Sequence, residues 1–205
     1  MTDVLGVVLA GGQSRRMNGP EKSLLKLGDK TLVEGISTRL RRQNPNVVIN
    51  ANEDPQRFAF LNLPVVADSI AGYAGPLAGV LAGMRWAQEN SDATHIVTVA
   101  ADTPFFPQTY VQAMIQNLNA SNSKIALATS NGRRHPVFGL WSVDLSEDLQ
   151  RFLVEEEGRK VMLFVERYSF CLVDFEGENP DPFFNVNTPQ DMQNAERFAA
   201  ESPPT

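Results

Sequence analysis

The chain has very little sulfur and imidazole chemistry to offer: among 205 residues there is one cysteine, Cys171, and there are two histidines, His95 and His135. A single thiol excludes an internal disulfide and points to a reducing compartment. Neither histidine has a second His or Cys at ligand spacing, which argues against a zinc site. No G-x-S-x-G stretch occurs and Cys171 falls inside an apolar strand candidate, so nucleophilic serine or cysteine catalysis has no support. No apolar run is long enough to span a bilayer, and no basic, apolar, small-residue succession opens the chain. A cytoplasmic location without signal peptide or membrane contact is therefore expected. Internal repeats, low-complexity stretches and interdomain linkers are lacking too. Nor is there an excess of positive charge: the formal net charge is -6, unlike the broad basic faces of general nucleic-acid binders.

What is present is a chain with 42% hydrophobic residues, enough for one sizeable α/β core. Continuous apolar runs at Leu5 to Leu9, Val47 to Ala51, Pro64 to Ala67 and Ile96 to Ala101 suit strands buried on both faces of a parallel sheet. Helices are expected between them. Thr31 and Glu34 form a capping-box pattern ahead of Leu32, Val33, Ile36 and Leu40. Pro76 opens a second, with Leu77, Val80, Leu81 and Met84 on one face, and Pro107 a third, with Val111, Met114, Ile115 and Leu118. Further on, Lys124 to Thr129 and Pro136 to Trp141 flank a turn at Asn131-Gly132, a hairpin signal. Leu145 to Leu153 and Arg159 to Val165 suggest helices, Ser169 to Phe175 a strand, and Thr188-Pro189 with Asp191 the capped start of a last helix. The order predicts a single-domain, three-layer α/β/α sandwich on a mostly parallel, Rossmann-like sheet over residues 1–200, with 201–205 a frayed tail.

In such sheets ligands bind at the carboxyl ends of the strands. The first strand ends in Leu9-Ala10-Gly11-Gly12-Gln13-Ser14-Arg15-Arg16-Met17, followed by Lys22. Glycines let backbone N–H groups approach a phosphate closely, and Arg15, Arg16 and Lys22 add fixed positive charge where a polyphosphate would lie. The pattern is neither G-x-x-x-x-G-K-[ST] nor G-x-G-x-x-G, which disfavours a P-loop and a dinucleotide cofactor. Asp102 follows the strand Thr94 to Ala101; its carboxylate either holds Mg²⁺ or caps the turn before Pro104, and the cationic glycine loop favours the metal. Asn50 and Asp68 also end strand candidates. One carboxylate can accept from guanine N1–H and N2–H₂ side by side, and an Asn can hold base or ribose; ordinary turn and cap duties are the alternative. Arg133-Arg134 and Arg159-Lys160 are further cation pairs, and the residues alone favour solvated surface for each.

The glycine-arginine segment resembles the signature of the nucleotidyltransferases that activate small phosphorylated compounds, a glycosyltransferase-A-like superfamily. The likeness runs along nearly the whole chain. It includes Val48-Ile49-Asn50-Ala51-Asn52, Val66-Ala67-Asp68-Ser69, Gly75-Pro76-Leu77-Ala78-Gly79, Asp102-Thr103-Pro104, Arg134-His135-Pro136, Arg159-Lys160-Val161-Met162 and Phe184-Asn185-Val186-Asn187-Thr188-Pro189. Within the superfamily these blocks are similar to the molybdopterin nucleotidyltransferase family, and to its guanylyl-transferring members. The resemblance implies that the terminal phosphate of molybdopterin, or of its metal-loaded form, attacks the α-phosphorus of GTP, that pyrophosphate leaves, and that Mg²⁺ is required. By position, Leu9, Ala10, Gly11, Gly12, Arg15, Lys22, Asn50, Asp68 and Asp102 would bind GTP. Asp102 would be the metal ligand, with Lys22, Asp102 and Arg16 the catalytic groups. Arg159, Lys160, Asn185 and Asn187 would serve the pterin, so that the N-terminal half binds GTP and the C-terminal half molybdopterin. Molybdenum insertion proteins and target apo-enzymes or their chaperones are the protein partners it implies. Two positions depart from the family pattern: Asn18 replaces a glycine after Arg-Arg-Met, and Glu21 replaces an aspartate before the loop lysine. Two rivals stand beside this reading. One is a cytidylyltransferase, whose loop more often reads Leu-Ala-Ala-Gly; the other is a non-catalytic nucleotide-binding module that delivers cofactor.

Overall fold

The structure, a computed structural model, describes residues 3–11, 22–70, 75–155, 160–175 and 180–201. In chain order its elements are β1 (Val4–Leu9), β2 (Lys26–Leu27), β3 (Lys30–Thr31), α1 (Leu32–Gln43), β4 (Val47–Asn50), β5 (Val65–Val66), α2 (Pro76–Asn90) and β6 (His95–Ala100). They continue with α3 (Tyr110–Ser121), β7 (Ile125–Ser130), β8 (Arg133–Ser142), α4 (Ser146–Val154), α5 (Val161–Val165), β9 (Phe170–Asp174) and α6 (Pro189–Glu201).

Seven strands form one sheet in the order β5-β4-β1-β6-β8-β7-β9. The pairings β5–β4, β4–β1, β1–β6 and β7–β9 are parallel, while β8 runs antiparallel to both β6 and β7. The mostly parallel expectation holds, and the antiparallel member is the long arm of the Asn131-Gly132 hairpin. Both turn residues have positive φ, 48° and 70°, as a two-residue hairpin turn requires. The side-chain period of two sends Val4 and Val8 of β1 to one face, against Leu32, Val33, Ile36 and Leu40 of α1 and Val111, Met114 and Leu118 of α3. Leu5 and Val7 go to the other face, against Leu77, Val80, Leu81 and Met84 of α2 and Leu149, Phe152 and Leu153 of α4. Two separate cores on opposite faces of one sheet make the three-layer sandwich.

The helix starts follow from local chemistry where it exists. Thr31 Oγ1 accepts from Glu34 N at 3.3 Å, the capping bond read from sequence. Before α6 the exchange is complete. Asp191 N donates to Thr188 Oγ1 at 3.1 Å, and Thr188 N and Asn187 N both donate to Asp191 Oδ2, at 2.8 and 2.9 Å. The third helix corrects the expectation: it begins at Tyr110, not Pro107. Pro107 lies in the preceding turn, its carbonyl accepting from Tyr110 N at 3.1 Å and from the Gln43 side chain at 3.0 Å. Gln43, from the end of α1, also accepts from Val111 N at 3.0 Å, so the start of α3 is set by a residue of another helix. The expected Arg159 to Val165 helix is the single-turn α5, beginning at Val161. The small β2–β3 hairpin was not foreseen; strands of two residues carry no periodicity. Its turn uses Gly28 at φ 66°, and its Leu27, with Leu24 and Leu25 just before it, packs on the α1 side of the core.

Thr188→Ala removes one half of the α6 capping exchange and is expected to cost about 1 kcal/mol, read as a lower urea midpoint with unchanged slope. An unaltered midpoint would show that the cap contributes nothing.

Candidate active site

At the carboxyl ends of β1 and β6 a cleft of about 470 Å³ opens, lined by Leu9, Ala10, Gly11, Lys22, Asn50, Asp68, Asp102, the 133–138 stretch of β8, Asn185 and Asn187 among others. Its position follows from the topology. β4 and β5 extend the sheet on one side of β1, and β6 lies on the other, so the chain reverses its direction of travel beside β1. The pairing of β6 with β8 stops at Thr98 opposite Gly139. Beyond that, β8 departs from the ladder, Leu127 of β7 facing Gly139 and Ala128 facing His135. Pro136 within the extra residues has no N–H to donate. Thr98 Oγ1 fastens the departure by donating to Val137 O at 2.6 Å and accepting from Trp141 Nε1 at 3.0 Å. The end of β6 is thus left open on the β8 side, and Asp102 stands there.

Asp102 is met by Lys22. The ammonium lies 2.6 Å from Asp102 Oδ2 and also donates to Asn187 Oδ1 at 2.6 Å; the two charged side chains are 16% and 28% exposed. Lys22 opens a short 3-10 turn, Lys22–Leu24, whose Ser23 is buried. Thr103 Oγ1 lies 3.0 Å from Asp102 Oδ1 and 2.5 Å from Asn185 Oδ1, and Val186 N donates to Asp102 O at 2.8 Å. The 185–187 segment is therefore pinned to the end of β6 by backbone and side chains together.

On the other flank Asn50, 3% exposed, donates to Asp68 Oδ1 at 2.9 Å and to Val66 O at 3.2 Å. Asn52 donates to Asp68 Oδ2 at 2.8 Å and accepts from Asp68 N at 2.8 Å. Two asparagines thus hold one carboxylate, each oxygen of which keeps a further lone pair for a ligand. Gly79 of α2 makes room for Asn50: a Cβ there would lie 2.3 Å from Asn50 Oδ1.

Of the residues singled out in the sequence, Leu9, Ala10, Gly11, Lys22, Asn50, Asp68, Asp102, Asn185 and Asn187 are brought together in the cleft. Gly12, Arg15, Arg16 and Arg159 lie outside the described residues. Lys160 is exposed on the turn before α5 and is not among the residues lining the cleft, because α5 packs on the α2–α4 side of the sheet. The N–H groups of Ala10 and Gly11 both donate to Asn50 O, at 2.8 and 3.1 Å, continuing the β1–β4 ladder. These two amides are committed to the sheet, not aimed at a phosphate as the glycines suggested. Arg133 and Arg134, for which the residues alone favoured solvated surface, stand on the cleft wall with His135. Thr103 and Asn52, which hold Asp102 and Asp68, stood within the strand-end and family segments but were given no role of their own.

His135 Nε2 lies 2.7 Å from Ser130 Oγ, which donates to Asp181 Oδ1 at 2.8 Å. Burial pushes the ring below the ordinary imidazole value, Asp181 opposing and Arg133 reinforcing the shift. Burial likewise lowers His95, with Asp144 opposing and Lys124 reinforcing.

Could the residues present hold a divalent metal? Among the described residues no group of three or more His, Cys, Asp or Glu is gathered for one. Mg²⁺, however, is commonly bound by one or two carboxylates together with substrate phosphates. Asp102, a carboxylate opening into the cleft and already met by a cation, has the chemistry for that.

Comparison with known proteins identifies the family and the fold. The family model described as the MobA-like NTP transferase domain matches residues 6–168. The chain is 44% identical over 199 residues to a molybdenum cofactor guanylyltransferase of Mesorhizobium japonicum, covering 96% of each chain. Its fold is similar to the crystal structure of molybdopterin-guanine dinucleotide biosynthesis protein A from Archaeoglobus fulgidus (TM-score 0.74, 23% identity, 97% of this chain and 100% of that one). It is also similar to a Mycobacterium tuberculosis protein solved in complex with manganese (TM-score 0.67, 18% identity, 96% and 98%). The chain belongs to the MobA-like nucleotidyltransferase family.

Gly79→Ala is expected to displace Asn50 and loosen Asp68, at a stability cost of about 1–3 kcal/mol for overpacking, read as a lower urea midpoint; an unaltered midpoint would show that Asn50 has room to give way. The two lowered histidines predict a pH dependence. The folded chain takes up these protons less readily than the unfolded chain, whose imidazoles titrate at 6.5. Stability should hold above that value and decline as pH falls through the window beneath it, seen as a lower urea midpoint at about pH 5.5 than at about pH 7.5. A midpoint that rises on acidification would contradict it.

Proposed function

We propose that the cleft joins a nucleotide to a phosphorylated acceptor: the chain makes molybdopterin guanine dinucleotide from GTP, as a molybdenum cofactor guanylyltransferase does. The observation that supports the site assignment is the Lys22–Asp102–Asn187 contact at the mouth of β1 and β6. Lys22 and Asp102 stand in the segments that resemble the family pattern, and they lie 80 positions apart.

GTP lies over the end of β1, its base toward Asp68 and Asn50 and its triphosphate toward Lys22. Asp68, oriented by Asn50 and Asn52, accepts from the paired donors of guanine. Molybdopterin enters from the opposite wall, formed by Arg133, Arg134 and the Asn185–Asn187 segment. The N-terminal half of the chain thus serves GTP and the C-terminal half the pterin. The acceptor's terminal phosphate oxygen forms a bond to the α-phosphorus as the bond from that phosphorus to the bridging oxygen breaks and pyrophosphate leaves. Two anions must meet, so the task of the protein is positional and electrostatic. Lys22, released from Asp102, follows the charge that develops on the pyrophosphate, helped by Arg15 and Arg16 of the preceding loop. Asp102 would hold Mg²⁺, which when bound neutralises phosphate charge. Asn187, already bonded to Lys22, steadies the ammonium in either position.

Lys22→Ala and Asp102→Ala are each expected to lower turnover by at least ~100-fold while circular dichroism shows a folded protein. The assay is pyrophosphate release from GTP, Mg²⁺ and molybdopterin. Near-full turnover in either variant removes that residue from the mechanism. Silence in the unaltered protein would favour a nucleotide-carrying module instead, and turnover with CTP in place of GTP would favour a cytidylyltransferase.

A further inference from the structure

His135 lines the cleft without any role in the account above, yet it is held more closely than a wall residue needs. Ser130 is fully buried at the end of β7, and its hydroxyl lies between His135 Nε2 at 2.7 Å and Asp181 Oδ1 at 2.8 Å. A carboxylate can only accept, so the single hydroxyl proton goes to Asp181 and the imidazole must be the donor at Nε2. This order, His to Ser to Asp, denies Ser130 a base and excludes it as a nucleophile. Asp181 is fixed in turn by Phe183 N at 2.9 Å and the Asn131 side chain at 3.3 Å. Phe183 stacks on the imidazole with centroids 4.4 Å apart and planes inclined by 28°. Ring plane and tautomer are both determined. The polar atom left over is Nδ1, which has no hydrogen-bond partner among the described residues.

The geometry points to His135 Nδ1 as the binding group for the terminal phosphate monoester of the acceptor, on the wall opposite the nucleotide. The inference rests on the reaction assigned above. Arg133 and Arg134 on β8 supply positive charge beside the ring, Arg134 shared with Glu166 at 3.8 Å. Lys22 and Asp102 line the same cleft, Asp181 lies behind Ser130, and Asp174 of β9 is engaged by Thr129 at 3.0 Å. In the free protein burial and Arg133 keep the ring neutral, so Nδ1 carries a lone pair. A monoester phosphate, whose second pKa is about 6, brings or draws one proton, which then sits between phosphate oxygen and Nδ1. The imidazolium so formed is balanced through Ser130 by Asp181. The phosphate is left as the dianion that attacks, and no other co-reactant is needed.

Two measurements test this. With GTP, Mg²⁺ and molybdopterin, His135→Ala is expected to raise the acceptor KM about ten- to a hundredfold and leave the GTP KM unchanged. Ser130→Ala keeps the ring but releases its tautomer, and is expected to raise the acceptor KM about three- to tenfold. An unchanged acceptor KM in His135→Ala, or an equal rise for both substrates, overturns the assignment. Because the chain holds only two histidines, nitrogen-15 imidazole spectra of the unaltered protein provide the second measurement. On addition of molybdopterin the His135 Nδ1 resonance should move to the protonated position while His95 stays; a stationary His135 overturns the proposal even where the variants fail to fold. Absence of turnover in the unaltered enzyme would refute the reaction, and the imidazole spectra would still decide whether His135 meets the phosphate.

Discussion

The cleft is organised around one carboxylate and the cation it must have. Asp102 ends a buried central strand, where an uncompensated charge would be costly. Lys22 meets it at 2.6 Å across 80 residues of sequence, and that contact carries the segment following the glycine loop onto the end of β6. The neighbours of the pair belong to other parts of the chain. Asn187 accepts from the same ammonium, and Val186 N donates to the Asp102 carbonyl, so the loop before α6 is drawn in as well. Three distant segments are thereby held at one point, and what they share is the placement of charge where a triphosphate would lie. Lys22 thus neutralises Asp102 at the end of β6 and is itself shared with Asn187.

The second constraint is a break in the sheet. Parallel strands with helices on both faces would ordinarily form a closed layer. Here an antiparallel strand, β8, is inserted between β6 and β7, and its pairing with β6 ends at Thr98, beside the cleft. Pro136 cannot donate to a ladder, Thr98 holds the diverging backbone by its carbonyl, and the arm beyond the break presents Arg133, Arg134 and His135. The cleft therefore has two unlike walls. One is built on β1, β4 and β5 and offers the clamped Asp68; the other is built on β8 and the 180–188 segment and offers cations and an oriented imidazole. A reaction that joins two different phosphorylated molecules calls for that asymmetry.

Much of this was legible beforehand. The continuous apolar runs identified β1, β4, β5 and β6. The Thr31–Glu34 capping box located α1, the i, i+3, i+4, i+7 stripe located α2, the Asn-Gly dipeptide located the hairpin, and Thr188-Pro189 with Asp191 located the start of α6. Of the positions following each strand, Gly11, Asn50, Asp68 and Asp102 all line the cleft. The misses have common causes. α3 begins three residues later than Pro107 suggested: Pro107 lies in the preceding turn, its carbonyl accepting from Tyr110 N, and Gln43 of another helix accepts from Val111 N. The β2–β3 hairpin is too short to have a period. Lys160 seemed a pterin ligand by likeness alone and sits on the turn before α5, outside the cleft lining.

Local order along the chain, meaning which stretches are strands, which are helices, and which residue types stand at their ends, was determined by the sequence alone, because side-chain periodicity and capping act over a few residues. Which ends come together was decided only by the tertiary structure. No local pattern of apolar spacing or capping says that Lys22 finds Asp102 and Asn187, that two asparagines close on Asp68, or that Ser130 links His135 to Asp181. Those contacts span from 5 to 165 positions. They exist because strand order, the antiparallel insertion of β8 and the packing of helices on two faces bring the segments within hydrogen-bond reach.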